Sequence, residues 1–147
     1  FNLPIVEDAA CALGSRAYGA QLGTLGVIGC FSFHPRKSVT TGEGGMITTN
    51  DEEIAIKLDR LRNHGASISE EQRHHGPKPY ILSAFEMVGY NYRMTDIQAA
   101  LGLSQLKKID DFVKSRNEIA TSYDNFLKNH SGFKIPNSQL MIFFSFL

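Results

Sequence analysis

A lysine in a short loop and an acid at the end of an earlier apolar run are the residues best suited to chemistry. Lys37 follows Cys30-Phe31-Ser32-Phe33-His34-Pro35-Arg36, and Thr41-Gly42-Glu43-Gly44-Gly45 closes the loop behind it. Asp8 ends the run Ile5-Val6-Glu7-Asp8, 37 − 8 = 29 positions earlier. A lysine amine held in a loop captures an aldehyde once it gives up its proton. A carboxylate at a strand end pairs with a protonated ring nitrogen. Pyridoxal phosphate needs both groups, a lysine for its aldehyde and an acid for its pyridine. Taken singly, each residue has a plainer role. Lys37 reads as a solvated loop lysine, and Asp8 as a helix N-cap before Ala9-Ala10. Their combination, with apolar segments on both sides of the lysine, is what favours the cofactor.

Further candidates surround this pair. Ser32 lies five positions before Lys37. It could donate to a cofactor phosphate, or serve as a core hydroxyl bonded to backbone. Gly42, Gly44 and Gly45 allow close backbone approach, but also suit an ordinary turn. Asn91 and Arg93 precede a helix start, where donors can meet a phosphate; they also fit a simple turn. His64, His74 and His75 match no zinc spacing and have no cysteine nearby, so they read as loop residues and no metal is expected.

These residues need strands and turns to hold them. Leu3–Glu7 reads as a short buried strand with Asp8 at its C-terminal end. Ala9–Leu13 starts as a helix and breaks at Gly14. Tyr18–Gly26 is glycine-rich and suggests a small hairpin. Val27–Phe33 is apolar and aromatic and reads as a strand. His34–Gly45 is a loop, and Met46–Thr49 a β-branched strand. Asn50 or Asp51 caps a helix carrying Ile54, Leu58 and Leu61. Residues 63–79 are polar and read as a surface excursion, and residues 80–92 are mixed. Thr95 and Gln98 form a capping-box pattern. They open a helix that carries Ile97, Ala100, Leu101 and Leu106 and runs to about Ile109. Asp110–Asn129 is long and polar, with Phe112, Ile119, Tyr123, Phe126 and Leu127 as its apolar face and a join or break near Asp110. The order is a strand, a hairpin, two strands and three helices, a mixed α/β piece.

At 147 residues, with 42% hydrophobic and 20% charged residues, the chain fits a soluble globular domain with a core of its own. Fifteen basic and fifteen acidic residues cancel, which favours neither nucleic acid nor an anionic membrane surface. No apolar run reaches the ~20 residues of a spanning helix. Cys11 and Cys30 are not spaced as CxxC. They fit buried thiols of a reducing compartment better than a disulfide framework or a zinc site. A strand pattern that begins at residue 3 suggests a chain starting mid-domain. The apolar tail Met141–Leu147 suggests that partners are absent at the other end too.

Four motifs then occur in order. They are Val6-Glu7-Asp8-Ala9-Ala10-x-Ala12-Leu13-Gly14; Phe31-Ser32-Phe33-His34-Pro35-x-Lys37 with Gly42-Glu43-Gly44-Gly45; Leu61-Arg62-Asn63-His64-Gly65; and Gly89-Tyr90-Asn91-Tyr92-Arg93-Met94-Thr95-Asp96-Ile97-Gln98-Ala99-Ala100. Together they resemble the DegT/DnrJ/EryC1/StrS aminotransferases, pyridoxal-phosphate enzymes that aminate keto sugars attached to nucleotides. The resemblance runs from about residue 3 to residue 129. It implies a fragment of the large cofactor-binding domain of a fold type I, aspartate aminotransferase-like transferase. That domain is α/β, with a mostly parallel, seven-stranded sheet and flanking helices. Residues 1–109 would belong to it. Residues 110–147 would be a helix and the start of the small C-terminal domain, with an atypical end.

The resemblance also implies roles. Lys37 would hold the cofactor aldehyde and later shuttle the proton. Asp8 would pair with the pyridine nitrogen and Ser32 would bind the phosphate. Asn91 would contact the phosphate of a cofactor held by the neighbouring subunit of a homodimer. The substrates implied are an amino-acid donor, glutamate or glutamine, and a nucleotide-linked keto sugar. The setting implied is the cytoplasm, and the product a precursor of polysaccharide, lipopolysaccharide or another glycan. Some relatives carry histidine at the lysine position and dehydrate instead, and Lys37 argues against that branch. No role attaches to Cys11. Residues 139–147 depart from the family pattern, as a truncated or shifted reading frame would make them. The family's N-terminal half supplies a second phosphate loop and a stacking aromatic, so the fragment alone is expected to be inactive. Two alternatives stay open: an aminotransferase for a keto-inositol, and a non-catalytic sensor or binding protein on the same fold. Intact Lys37 with Asp8 disfavours the second.

Overall fold

The computed structural model describes residues 2–135 except 79 and 81, so the tail Met141–Leu147 lies outside the described residues. The strands are β1 (Val6–Asp8), β2 (Arg16–Ala17), β3 (Ala20–Gln21), β4 (Ile28–Ser32) and β5 (Gly45–Thr48). The helices are α1 (Glu52–Arg62), α2 (Glu70–His75), α3 (Asp96–Leu106) and α4 (Ile109–Leu127). The chain divides into two compact units, one of Phe1–Thr48 with Asp96–Leu147 and one of Thr49–Thr95.

The first unit holds a three-stranded sheet in the order β1-β4-β5. β1 runs parallel to β4, with Asp8 opposite Cys30. β5 runs antiparallel to β4, with Ser32 opposite Gly45. β2 and β3 form a hairpin that starts earlier than the expected Tyr18–Gly26, with Arg16 opposite Gln21 and Ala17 opposite Ala20. Gly29, in the middle of β4, is buried. A methyl group there would collide with the carbonyl of Gly23, so the Gly23 loop can lie against the strand only because residue 29 has no side chain. The Glu7 carboxylate fixes the same loop by accepting from Gly23 N at 2.8 Å and from Leu25 N and Gly26 N at 2.6 Å each.

The expected helix at Ala9–Leu13 is replaced by two successive turns. Ala12 N donates to Ala9 O and Ser15 N donates to Ala12 O, both at 2.9 Å. Gly14 then turns left-handed, with φ +83°. The chain must reach β2 within a few residues, which leaves no room for the repeated i→i−4 bonds of a helix. The start of α4 packs on this turn. A side chain on Gly14 would sit 2.9 Å from Val113 Cγ2 and 3.1 Å from Ile109 Cγ1.

In the second unit, Asp51 rather than Asn50 caps α1, its Oδ1 accepting from Ile54 N at 3.0 Å. The expected excursion 63–79 contains α2, which Ser69 and Gln72 open with a reciprocal capping box. The chain then returns along the end of α1. Tyr90 N donates to Leu61 O at 2.7 Å, and Asn63 bridges Asn91 in antiparallel fashion.

One packed core is not what the described residues show. Their buried hydrophobics are Ala9, Val39 and Ala66. The run expected as a buried strand is exposed, with Leu3 at 74%, Ile5 at 62% and Val6 at 63%. Strands with a parallel neighbour are normally covered on both faces by helices. Among the described residues β1 has no such cover, so its apolar side chains face outward.

Candidate active site

Asp8 and Ser32 end β1 and β4, the two parallel strands. Both therefore lie at the C-terminal edge of the parallel pair, where open α/β sheets bind their ligands. Beyond Ser32 the chain folds into the loop that carries Lys37. His34 N donates to Ser32 Oγ at 3.3 Å, and Lys37 N donates to His34 O at 2.9 Å. Phe33 anchors both ends of this loop, since its N–H donates to Gly44 O at 2.9 Å and its carbonyl accepts from Thr41 N at 3.1 Å. The Thr40 hydroxyl adds a further bond to the same carbonyl, at 2.9 Å. Gly42 and Gly44, at φ +84° and +146°, let the loop turn back to β5. Val39 fills its underside, 2% exposed.

Helix α3 clasps the loop from outside. Gln105 Nε2 donates to Thr40 O at 2.6 Å, and its Oε1 accepts from Thr40 N at 3.3 Å. Two turns earlier, Gln98 Nε2 donates to Glu43 O at 3.0 Å. Gly102 lies between them and brings the helix close to Thr41, whose Cγ2 would sit 3.0 Å from a side chain there.

The clasped loop delivers a half-buried Lys37. Its Nζ donates to Cys11 Sγ at 2.8 Å. Cys11 lies three residues past Asp8, in the turn that leaves β1. The amine thus comes back over the turn that follows the carboxylate. Asp8 Oδ1 accepts from Ala10 N at 3.1 Å, so the acid braces that turn instead of capping a helix. An amine, a carboxylate and a hydroxyl therefore gather at one sheet edge, which fits a cofactor carrying an aldehyde, a ring nitrogen and a phosphate.

Asn91 belongs to the second unit and is exposed there. Its segment is held to the end of α1, with Tyr92 N donating to Arg62 O at 2.9 Å. Arg93 donates to Asn63 Oδ1 at 2.7 Å, and the rings of Tyr90 and Tyr92 stack at 4.9 Å. Among the described residues, no group of three or more His, Cys, Asp or Glu side chains could hold a metal ion.

The sequence model of the DegT/DnrJ/EryC1/StrS aminotransferase family matches residues 1–141. The chain belongs to this family. Two relatives act on nucleotide-linked sugars by name. The UDP-4-amino-4,6-dideoxy-N-acetyl-beta-L-altrosamine transaminase of Campylobacter jejuni is 40% identical over 88% of this chain and 32% of its own length. The GDP-perosamine synthase of Caulobacter vibrioides is 43% identical over 84% of this chain and 30% of its own. Among solved structures, the Helicobacter pylori aminotransferase involved in the biosynthesis of pseudoaminic acid superposes with a TM-score of 0.77. It is 35% identical and matches 88% of this chain and 32% of its own. A Streptococcus pneumoniae protein described as a sugar aminotransferase, solved in a PLP form, superposes with a TM-score of 0.73. It is 32% identical and matches 86% of this chain and 31% of its own. This DegT/DnrJ/EryC1/StrS chain thus spans about a third of the length of these relatives. It has the fold of part of a fold type I pyridoxal-phosphate aminotransferase, here a mixed α/β piece with one parallel and two antiparallel strand pairs. Among its described residues no helix is long and apolar enough to cross a membrane.

Three residues of this DegT/DnrJ/EryC1/StrS segment escaped the sequence reading. No spacing in the sequence marks Cys11, yet it receives the lysine. Glu7 is one more acid beside Asp8 in the sequence, and its three bonds reach 16 to 19 residues along the chain. Gln105 was one polar residue on a helix. Its spacing of 105 − 98 = 7 from Gln98 was the available signal, because two helical turns put both amides on one face.

Proposed function

We propose that the full-length protein is a pyridoxal-phosphate aminotransferase. It moves an amino group from glutamate or glutamine to a keto sugar carried on a nucleotide, for glycan or amino-sugar synthesis. The observation that carries this reading is the Lys37 amine, held over the turn that leaves Asp8 in a chain of this family. The UDP- and GDP-sugar names of its relatives support a nucleotide-linked substrate. Pyridoxal phosphate, when bound, supplies an electron sink for the carbanion left when a proton departs the substrate carbon. Lys37 Nζ holds the aldehyde end and then carries that proton, a task that typically contributes ~10²–10⁴-fold. The Asp8 carboxylate keeps the pyridine nitrogen protonated through a charged hydrogen bond. Ser32 donates its hydroxyl to the phosphate, since its oxygen already accepts from His34 N. Asn91 serves the phosphate of a cofactor in the partner subunit of a cytoplasmic homodimer. Residues 1–109 lie in the large domain, and residues 110–147 lead toward the small one.

The test is a panel of nucleotide keto sugars offered to the full-length protein, with glutamate and glutamine as donors. An aminated sugar is expected from the wild type and none from Lys37→Ala. No aminated sugar from the wild type, or undiminished turnover in Lys37→Ala, would defeat the proposal.

A further inference from the structure

The Cys11–Lys37 contact stands apart from everything the aminotransferase reaction asks of this edge. A thiol is not needed to hold an aldehyde, yet Cys11 Sγ lies 2.8 Å from Lys37 Nζ. Cys11 is exposed and sits in a turn fixed at both ends, by Ala12 N on Ala9 O and by Ala10 N on the Asp8 carboxylate. Lys37 hangs from a loop clasped by Gln105. Both groups are thus presented to each other by constrained backbone. An exposed sulfur beside a lysine nitrogen meets the conditions under which thiols react with oxidants, because the positive group favours the thiolate.

We infer that Cys11 and Lys37 form an oxidative modification site, in which a hydroperoxide leads to a direct sulfur–nitrogen bond between the two side chains. In the first step the Cys11 sulfur attacks a peroxide oxygen. The O–O bond breaks, and sulfur is oxidised by two electrons to the sulfenic acid. The second oxygen takes a proton from the Lys37 ammonium and leaves as water, or as the alcohol of an organic hydroperoxide, so that the amine is left neutral. In the second step the neutral Lys37 amine attacks that sulfur. The S–O bond breaks, and the hydroxyl leaves as water with a proton from the amine. Sulfenic acids condense in this way with a thiol or a backbone nitrogen, and the lysine nitrogen takes that place here. Here the nitrogen already sits at hydrogen-bond distance, and the flexible lysine stem closes the remaining gap. Two equivalents of a small thiol reverse the change. The first attacks sulfur and frees the amine, and the second frees Cys11 and departs as a disulfide.

The bond itself rests only on the contact. Its consequence rests on the proposed function, since a lysine tied to sulfur has no amine to offer the cofactor aldehyde. Oxidation would therefore switch off cofactor loading, and a thiol would restore it.

The experiment uses the full-length protein freed of cofactor and treated with one equivalent of hydrogen peroxide, read by intact mass and peptide mapping. The expected product is lighter than the parent by two hydrogens. Its map shows the Cys11 peptide joined to the Lys37 peptide, and dithiothreitol reverses the change. The product persists in Cys30→Ser, which removes the competing Cys11–Cys30 disulfide, and is absent in both Cys11→Ser and Lys37→Arg. Finding Cys11 as sulfinic or sulfonic acid with Lys37 unmodified would overturn the inference. So would a joined product that disappears in Cys30→Ser. A second readout is uptake of pyridoxal phosphate, followed by its absorbance, with loss expected in the linked protein and recovery after thiol. A linked protein that still loads cofactor would leave the bond standing and refute the role given to Lys37.

Discussion

Replacing Glu7 with glutamine keeps the size and shape of the side chain and removes one acceptor. In the native structure Oε1 accepts from both Leu25 N and Gly26 N, and Oε2 accepts from Gly23 N. Glutamine's single oxygen can keep two of these bonds, now without charge, while its amide nitrogen faces the third N–H. A hydrogen bond to a charged group contributes about 1.5–3 kcal/mol and a neutral one about 0.5–1.5, so one loss and two weakened bonds sum to roughly 4 kcal/mol. The carboxylate is only partly shielded from water, which cuts the expected cost to about 2 kcal/mol.

The same bonds set a pH dependence. The Gly26 N–H first, and then those of Gly23 and Leu25, hold the Glu7 carboxyl below its ordinary value of 4.5 against an opposing effect of burial. The folded protein therefore binds this proton less readily than the unfolded chain. Its stabilisation is complete above the ordinary value and is lost as pH falls through the lowered folded value. Urea unfolding of the full-length wild type and Glu7→Gln, at neutral pH and through the acid range, measures the gap. The gap is expected to be full at neutral pH and to close below 4.5. No gap at neutral pH, or a gap of constant size at every pH, would refute the reasoning.

Two other substitutions probe the frame around the lysine. Gln105→Ala removes both bonds to the Thr40 backbone, at about 0.5–1.5 kcal/mol each. A lower urea midpoint and faster amide exchange at Thr40 are expected, and unchanged exchange would show that the clasp does not hold the loop. Gly29→Ala drives a methyl group into the Gly23 carbonyl, a backbone atom that cannot swing aside. Overpacking of this kind costs about 1–3 kcal/mol, and here at least the upper end. A thermal midpoint equal to that of the wild type would show that the Gly23 loop does not lie against β4.

The strands and loop around Lys37 were legible because the signals are local. An apolar run, a proline and a glycine cluster mark β4, its exit and the return into β5. Ala9–Leu13 was misread because alanine favours a helix, whereas the chain had only a few residues in which to turn. α2 was missed because it is short and polar, and the Ser69–Gln72 capping pattern was its only mark. Burial of Leu3, Ile5 and Val6 was inferred from their apolarity, but burial also needs a covering layer, and none lies over them among the described residues. Within the site, Lys37 and Asp8 could be paired by chemistry. The residues that position them could not, because their bonds are non-local. Gln105 reaches Thr40 across 65 positions, and Lys37 reaches Cys11 across 26. A side chain's type states what it can donate or accept, and only the fold states where.

On the proposed function, Lys37 is the cofactor lysine. The most direct measurement is borohydride reduction of the full-length protein loaded with pyridoxal phosphate, followed by digestion and mass mapping. The phosphopyridoxyl group is expected on Lys37, with no stable label in Lys37→Ala. A label on any other lysine, or no trapped cofactor in the wild type, would contradict the account.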